Sequence, residues 1–302
     1  MISIDLGSNT FRCIEYDCSS LQWGGEFERI VKTADKMHAT GRIDAEAVER
    51  IVAAIEEAKS VLDFASQPVK AVTTAAMRMA ENAETVLEQI AERSGVVFDV
   101  IDAEQEALYT TIAVKNRLRQ LDLSAEKFVL IDIGGGSTEV IFANGPTLQS
   151  QSFPLGIVTV AQQCTSPEEV RTTLQAMLVP VKEYVAKMYE AGGKPDQFVS
   201  TAGTPTTIAS FLQGMTYDTY DVERINGYLL SIEACATALK GLLALDEQTR
   251  AEYVGVGRET LIVAGVVIVE EFYKLLGFET SVIVDDGVRE GVAIDYCASS
   301  AQ

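Results

Sequence analysis

Apolar positions along this chain follow two different spacings, and the two kinds of segment alternate. Short runs rich in Val, Ile, Leu and Phe are typical of strands and occur at residues 4–6, 11–16, 69–73, 96–101, 139–142, 148–153, 198–201 and 281–284. Apolar residues three and four positions apart predict helices over 44–64, 83–94, 104–121, 167–189, 206–212, 232–243, 259–276 and from about 289 onward. Strands that alternate with helices indicate an α/β architecture with both faces of each sheet covered.

One short stretch occurs twice. IDLGSNT begins at residue 4 and IDIGGGS begins at residue 131, and a strand-like run follows each copy. Each copy therefore predicts a strand, a tight turn of small residues and a second strand. Two copies so far apart predict a duplicated domain. We expect a first domain over 1–115, to which a C-terminal helix over about 290–302 returns, and a second domain over 116–289.

The residues at the two turns suit a phosphate group. Small residues bring backbone N–H groups and hydroxyls to one point with little side chain in the way. The candidate phosphate-binding residues of the two turns are Gly7, Ser8, Asn9, Thr10, Gly134, Gly135, Gly136 and Ser137. At the preceding strand ends, Asp5 and Asp132 are placed to hold Mg²⁺ together with phosphate oxygens. The other interpretation, that the three glycines form only a flexible turn, is weakened because the pattern occurs twice.

The net negative charge of the chain limits which molecules it can bind. The chain of 302 residues carries 24 Lys and Arg against 44 Asp and Glu, a formal net charge of −20. We therefore expect no nonspecific binding to nucleic acid or anionic membranes, because no basic surplus replaces their counterions. An anionic substrate would need a divalent cation, backbone N–H groups or locally clustered arginines.

Histidine and cysteine usage excludes further chemistry. His38 is the one histidine, so catalysis by a histidine pair or a metal centre of several histidines is excluded, and we expect a solvated loop residue. The five cysteines are odd in number and form no CxxC pair, which predicts reduced core thiols instead of disulfides or a zinc site.

The N-terminal segment lacks a basic region ahead of an apolar run, so it does not resemble a signal peptide. The most apolar stretch, 261–269, is far shorter than the roughly 18 residues that span a bilayer. These features predict a cytoplasmic protein without membrane contact. The sequence is compatible with a homodimer, although no feature argues for one.

Six motifs together resemble one known family. IDLGSNTFR, TTAAMRMAEN, the Glu-Ala of AEQEA, IDIGGGSTEV, STAGTPTTIAS and DDGVREG follow the order found in exopolyphosphatases and guanosine pentaphosphate phosphohydrolases, the Ppx/GppA family. The resemblance spans essentially the whole chain. It implies two ribonuclease H-like domains of the actin-like ATPase type, with a cleft between them. Long family members carry a further C-terminal domain with a histidine-aspartate metal centre, and this chain resembles the short two-domain form.

The resemblance also implies catalytic residues. Glu106 resembles the family's catalytic base, a glutamate directly before an alanine at the start of the interdomain helix. Without the resemblance, Glu104 and Glu106 would be interpreted as helix-dipole partners. Gln105 departs from the consecutive glutamates common in the family. Arg12 and Arg78 match arginines directed at phosphate oxygens; a surface ion pair is the other interpretation of Arg78.

Further positions match the family's metal and substrate segments. Asp132 and Glu139 resemble its metal-associated carboxylates, with Asp5 ranked below them, for Mg²⁺ or another divalent cation. Gly203 and Thr204 resemble a loop that approaches a nucleotide across the wider superfamily, although a plain strand-turn-helix with Pro at the first helical position explains it equally well. The segment 285–291 is interpreted mainly as structural.

The function expected from these features is Mg²⁺-dependent hydrolysis of a terminal phosphoanhydride in polyphosphate or guanosine pentaphosphate, by water that Glu106 activates. The few basic residues favour short-chain or dual activity. Two rivals stay open. A sugar-kinase-like enzyme would transfer the phosphate to an acceptor and would need a nucleotide pocket near Gly203. A noncatalytic sensor would bind guanosine tetraphosphate or polyphosphate without turnover.

Overall fold

The computed structural model describes residues 1–164 and 166–300, and of His38 the backbone alone. The backbone of His38 lies in a short helix, so the prediction of a loop is wrong there. The structure does not describe the side chain of His38, on which the prediction of solvent exposure depends. Positions 301–302 of the predicted last helix also lie outside the described residues. The strands in chain order are β1 (Ile2–Leu6), β2 (Thr10–Asp17), β3 (Gln22–Ile30), β4 (Val69–Thr73), β5 (Phe98–Val100), β6 (Lys127–Ile133), β7 (Thr138–Asn144), β8 (Thr147–Phe153), β9 (Gln197–Thr201), β10 (Leu229–Ser231) and β11 (Thr280–Ile283). The helices are α1 (Met37–Thr40), α2 (Ala45–Val61), α3 (Ala75–Met79), α4 (Ala83–Ser94), α5 (Ala103–Gln120), α6 (Ile157–Ala161), α7 (Pro167–Met177), α8 (Val179–Gly192), α9 (Gly203–Leu212), α10 (Val222–Ile225), α11 (Ile232–Ala244), α12 (Glu247–Val254), α13 (Leu261–Leu276) and α14 (Val288–Ser300).

The chain divides into two compact units. Unit 1 comprises Met1–Ala113 and Gly287–Gln302, and unit 2 comprises Val114–Asp286. Each unit contains one mixed sheet with helices, so the predicted α/β class is confirmed.

Unit 1 is built on a five-stranded sheet in the order β3-β2-β1-β4-β5. β1 pairs with β2 antiparallel and with β4 parallel, which makes it the central strand. The apolar stripe of α2, including Ile51 and Ile55, packs into the same core as the inward residues of β1. The carboxylate of Asp44 caps this helix by accepting the N–H of Ala47 at 2.8 Å. α4 ends at Gly95, whose φ of 67° is typical of a glycine that follows the last turn of a helix.

Unit 2 is built on a six-stranded sheet in the order β10-β11-β9-β6-β7-β8. β6 is again central: it pairs antiparallel with β7 and parallel with β9. α13 is buried along most of its length, because its sequence is apolar on nearly every side. None of the helices in the described part of the chain combines the length and apolarity needed to cross a bilayer.

The short helices α1, α3, α6, α10 and α12 and the strands β3 and β10 were not expected, and one expected helix is divided. The single helix expected over 167–189 is two helices, α7 and α8, separated at Leu178, because Pro180 in the first turn of α8 has no N–H to continue the earlier helix. β3 was not expected. Its residues are mostly exposed at the edge of the sheet, so they lack the apolar alternation that marks a half-buried strand.

The prediction that the cysteines are reduced is wrong for one pair. Cys18 and Cys297 form a disulfide, with their Cα atoms 5.2 Å apart. α14 packs against β1 and β2, and this packing brings together cysteines separated by 279 positions. Cys13, Cys164 and Cys235 are free thiols, and burial raises the pKa of Cys13 and Cys235 to about 12.

Candidate active site

The repeated stretch forms the same hairpin in both units. β1 and β2 enclose the turn at 7–9, and β6 and β7 enclose the turn at 134–137. Each turn is closed by a matching hydrogen bond: Gly7 N–H donates to the carbonyl of Thr10 at 3.0 Å, and Gly134 N–H donates to that of Ser137 at 2.9 Å. The predicted strand, turn and strand are confirmed in both copies.

The two hairpins differ in the residue paired with the strand-end aspartate. Asp5 pairs across the strands with Arg12, whereas Asp132 pairs with Glu139. Directly paired residues of antiparallel strands have Cβ atoms about 4.5–5.5 Å apart. Unit 1 therefore places a guanidinium beside its aspartate, and unit 2 places two carboxylates side by side. Arg12 also forms an ion pair with Glu28 of β3, with Nε 2.9 Å from Oε2.

Glu139 is 2 % exposed and is held by two hydroxyls. Its Oε1 accepts hydrogen bonds from Ser137 at 2.9 Å and from Ser152 at 2.6 Å. Ser152 lies on β8 directly opposite Glu139 in the register. Sequence reasoning missed Ser152, since its role depends on the pairing of β7 with β8 and no motif marks it.

The paired carboxylates of Asp132 and Glu139 suit a divalent cation in number and charge. Mg²⁺ is commonly held by one or two carboxylates, with phosphate oxygens and waters completing its shell. Asp132 and Glu139 offer such a pair. Within residues 1–164 and 166–300, no three His, Cys, Asp or Glu side chains form a metal-binding group. A cation at Asp132 and Glu139 would have the rest of its shell completed by waters and phosphate oxygens. Asp5 fits less well, because a guanidinium is its neighbour.

Glu106 and Arg78 form an ion pair within unit 1. Arg78 Nη1 lies 2.8 Å from Glu106 Oε2 and donates a second hydrogen bond to the carbonyl of Ile101 at 2.9 Å. The side chain of Glu106 is 10 % exposed and that of Arg78 is 25 % exposed, so the pair is largely shielded from water. The sequence analysis assigned the two residues separate roles, and α3 and α5 bring them into direct contact.

Gln105, the departure from the family pattern, takes part in the turn before Glu106. The Asp102 carboxylate accepts the N–H of Gln105 at 2.8 Å, and the Gln105 side-chain oxygen accepts the N–H of Asp102 at 3.2 Å. This reciprocal pair is a capping box, which fixes the first turn of α5. The glutamine therefore has a structural function, and the next residue, Glu106, projects from a fixed helix start.

The loop between β9 and α9 has a strained backbone. Ala202 adopts φ 70°, which favours glycine and is uncommon for residues with a side chain. Arg258 is buried and donates from Nη2 to the carbonyl of Gly203 at 2.9 Å. Thr204 is 1 % exposed and its side chain packs against Gly265 of α13, so this side chain is turned into the core. α9 begins at Gly203, so the expectation that Pro205 is the first helical residue is wrong.

The segment 285–291 is held by buried charges. Asp286 accepts two hydrogen bonds from Arg117, at 2.7 and 3.1 Å, within unit 2. In unit 1, the Glu290 carboxylate accepts the N–H of Gly287 at 2.7 Å and forms an ion pair with Arg289. These contacts order the start of α14.

Comparison with known proteins gives one consistent family. The sequence model of the Ppx/GppA phosphatase family matches residues 18–299. An exopolyphosphatase 2 of Mycobacterium tuberculosis is 26% identical over 97% of this chain and 97% of its own length. A guanosine-5'-triphosphate,3'-diphosphate pyrophosphatase of Pseudoalteromonas translucida is 27% identical over 96% of this chain and 57% of its own length. The crystal structure of the Aquifex aeolicus member of the Ppx/GppA family superposes with a TM-score of 0.75 at 27% identity, covering 100% of this chain and 98% of the other.

Proposed function

Because the chain belongs to the Ppx/GppA phosphatase family, we propose that it hydrolyses the terminal phosphoanhydride bond of inorganic polyphosphate or guanosine pentaphosphate. The family resemblance drawn from the six motifs is confirmed, and with it the class of enzyme, a hydrolase. The observation that carries the proposal is the shielded Glu106, fixed by Arg78 at a capped helix start.

Glu106 is the proposed general base. A carboxylate activates water best when its orientation is fixed before the substrate binds. Arg78 holds one oxygen of Glu106, and the capping box holds the backbone that carries it. In-line attack on phosphorus needs little from the protein beyond such positioning and charge stabilisation.

The two hairpin turns, at 7–10 and 134–137, and Arg12 are the proposed phosphate ligands. Backbone N–H groups in a tight turn form a concave anion site, and a guanidinium binds two phosphate oxygens at once. Asp132 and Glu139 would hold Mg²⁺ or another divalent cation, which when bound neutralises charge on the phosphate oxygens.

Short substrates are favoured over long ones. A long polyphosphate chain needs an extended basic surface, and the chain has 24 basic residues against 44 acidic ones. A short polyphosphate or a nucleotide presents the same terminal bond without that requirement.

The proposal is tested by phosphate release from polyphosphates of defined length, guanosine pentaphosphate and ATP, each with and without Mg²⁺. Release of orthophosphate from either of the first two substrates supports it. Transfer of phosphate to an added sugar would favour a kinase instead. Tight binding of polyphosphate or guanosine tetraphosphate without any release would favour a sensor and contradict the hydrolase.

A further inference from the structure

The segment after β8 touches the glycine-rich turn of unit 2 more closely than any side chain would allow. A Cβ at position 156 would lie 2.3 Å from the carbonyl oxygen of Gly135 and 2.5 Å from the nitrogen of Gly136. Gly156 has φ −122° and ψ 164°, an extended conformation that any residue adopts. Space, not backbone freedom, therefore requires glycine at this position.

Three consecutive carbonyls of the turn accept hydrogen bonds from the residues after Gly156. The N–H of Ile157 donates to Gly134 at 3.0 Å, and that of Val158 donates to Gly135 at 2.8 Å. The hydroxyl of Thr159 donates to the carbonyl of Gly136 at 3.2 Å. All three carbonyls consequently point toward α6.

This arrangement fixes where the N–H groups of the turn point. In a trans peptide, the C=O and N–H bonds point in opposite directions, and the peptides of this turn are trans. The N–H groups of Gly135, Gly136 and Ser137 therefore point away from α6. Successive N–H groups on one side of a turn are what an anion requires.

Unit 1 uses the same device at its own turn. The carbonyl of Ser8 accepts the N–H of Ala34 at 2.8 Å, and the carbonyl of Asn9 accepts the N–H of Val31 at 2.9 Å. In unit 1 the donors follow β3, just as the donors in unit 2 follow β8. The same arrangement therefore occurs at both turns of the duplicated hairpin.

We propose that Gly156 and Thr159 are positioning residues for phosphate: they hold the carbonyls of the 134–137 turn against α6, so that its N–H groups face the substrate. This inference rests on the proposed hydrolase function. It assigns to the segment after β8 a role in substrate affinity, although neither residue needs to touch substrate.

Gly156→Ala tests the close approach. The new methyl group must push the turn by about 1 Å, and a displacement of that size lowers catalytic efficiency by about 100-fold. Gly192→Ala is the matched control, since that glycine also lies in unit 2 and a Cβ there meets nothing within 4 Å. We expect the control to match the wild type within about twofold.

Thr159→Val removes the hydroxyl that donates to the carbonyl of Gly136 without adding bulk. This variant tests the positioning role even if Gly156→Ala does not fold. We expect KM to rise about 3- to 10-fold with kcat nearly unchanged, because the turn binds phosphate equally in the ground and transition states. Thr159→Ser, which keeps the hydroxyl, should restore the wild-type KM. A purely structural defect would instead lower kcat through loss of active enzyme.

Calorimetric binding of pyrophosphate to the same variants separates this inference from the proposed function. A wild type without turnover would overturn the hydrolase, yet weaker pyrophosphate binding by Thr159→Val would still support the positioning role. Unchanged KM and unchanged pyrophosphate affinity in Thr159→Val would overturn the inference, whatever the turnover of the wild type.

Discussion

At the scale of single residues, the two hairpins show how a duplicated element acquires two roles. The partner of the strand-end aspartate is Arg12 in unit 1 and Glu139 in unit 2. The first pair contains a guanidinium, which also forms an ion pair with Glu28 and can bind an anion. The second pair concentrates negative charge in a buried position, which favours a cation.

Glu139→Gln tests the role of the second pair. The amide is isosteric and can still accept from Ser137 and Ser152, but it lacks the charge. We expect the Mg²⁺ concentration for half-maximal phosphate release to rise about tenfold or more. Glu126→Gln is the control, because it removes one charge from an exposed side chain of unit 2, and it should leave the Mg²⁺ titration close to that of the wild type. An identical Mg²⁺ titration for Glu139→Gln and the wild type would rule out Glu139 as a metal ligand.

At the scale of elements, helix starts determine where the site residues lie. The capping box of Asp102 and Gln105 fixes α5 and thereby Glu106, and Asp44 caps α2, whose apolar face fills the core of unit 1. Accepting the N–H of Ala47 lowers the pKa of the Asp44 carboxyl, with a smaller contribution from Lys36. A depressed pKa in the folded state means that the charged form stabilises the fold.

The stability contributed by Asp44 should therefore depend on pH. It is fully present above the unfolded-state pKa of about 3.9 and is lost as the pH falls through the lower pKa of the folded state. We expect Asp44→Ala to cost about 1 kcal/mol in free energy of unfolding at pH 7 and progressively less below about pH 4. Urea unfolding followed by the fluorescence of Trp23, the single tryptophan, reports on unit 1 directly.

Asp44→Asn is the control for this prediction, since asparagine caps a helix about as well and does not titrate. A cost for Asp44→Ala that stays constant from pH 7 to pH 3 would show that the ionised carboxylate is not the source of the stability.

At the scale of the whole molecule, the disulfide attaches the end of the chain to its beginning. Cys18 lies just after β2, and Cys297 lies in α14. Both cysteines belong to one cluster with Tyr16 and Trp23, whose ring centroids are 4.2 Å apart. The bond secures a helix that returns to unit 1 only after all of unit 2.

Thiol labelling tests the cysteine assignment. The thiolate is the reactive form, and burial raises the pKa of Cys13 and Cys235 to about 12, so both should resist iodoacetamide at pH 8. We expect the folded, unreduced protein to be labelled at Cys164 alone, and at Cys18 and Cys297 as well after mild reduction. Mass spectrometry of the digested protein locates the labels. Labelling of Cys18 or Cys297 before reduction would disprove the disulfide.

The sequence predicts features that depend on local pattern and misses those that depend on packing. Both hairpins, the central strands and the start of α5 near Glu106 follow from periodicity and turn residues. The edge strand β3 has no such pattern. The contact between Arg78 and Glu106, the hydroxyl of Ser152 on Glu139 and the Cys18–Cys297 bond each join elements that are distant along the chain. No spacing encodes them, so they become visible only once the sheets have formed.

The measurement that tests the account most directly is the rate of phosphate release by Glu106→Gln beside Glu104→Gln, in saturating substrate and Mg²⁺. Glu104 lies on the same helix start but is exposed, so its variant controls for the loss of one charge. General-base catalysis contributes about 10²- to 10⁴-fold, and we expect kcat to fall by that factor in Glu106→Gln and to stay near the wild-type value in Glu104→Gln. Equal rates in the two variants would contradict the assignment of Glu106 as the residue that activates water.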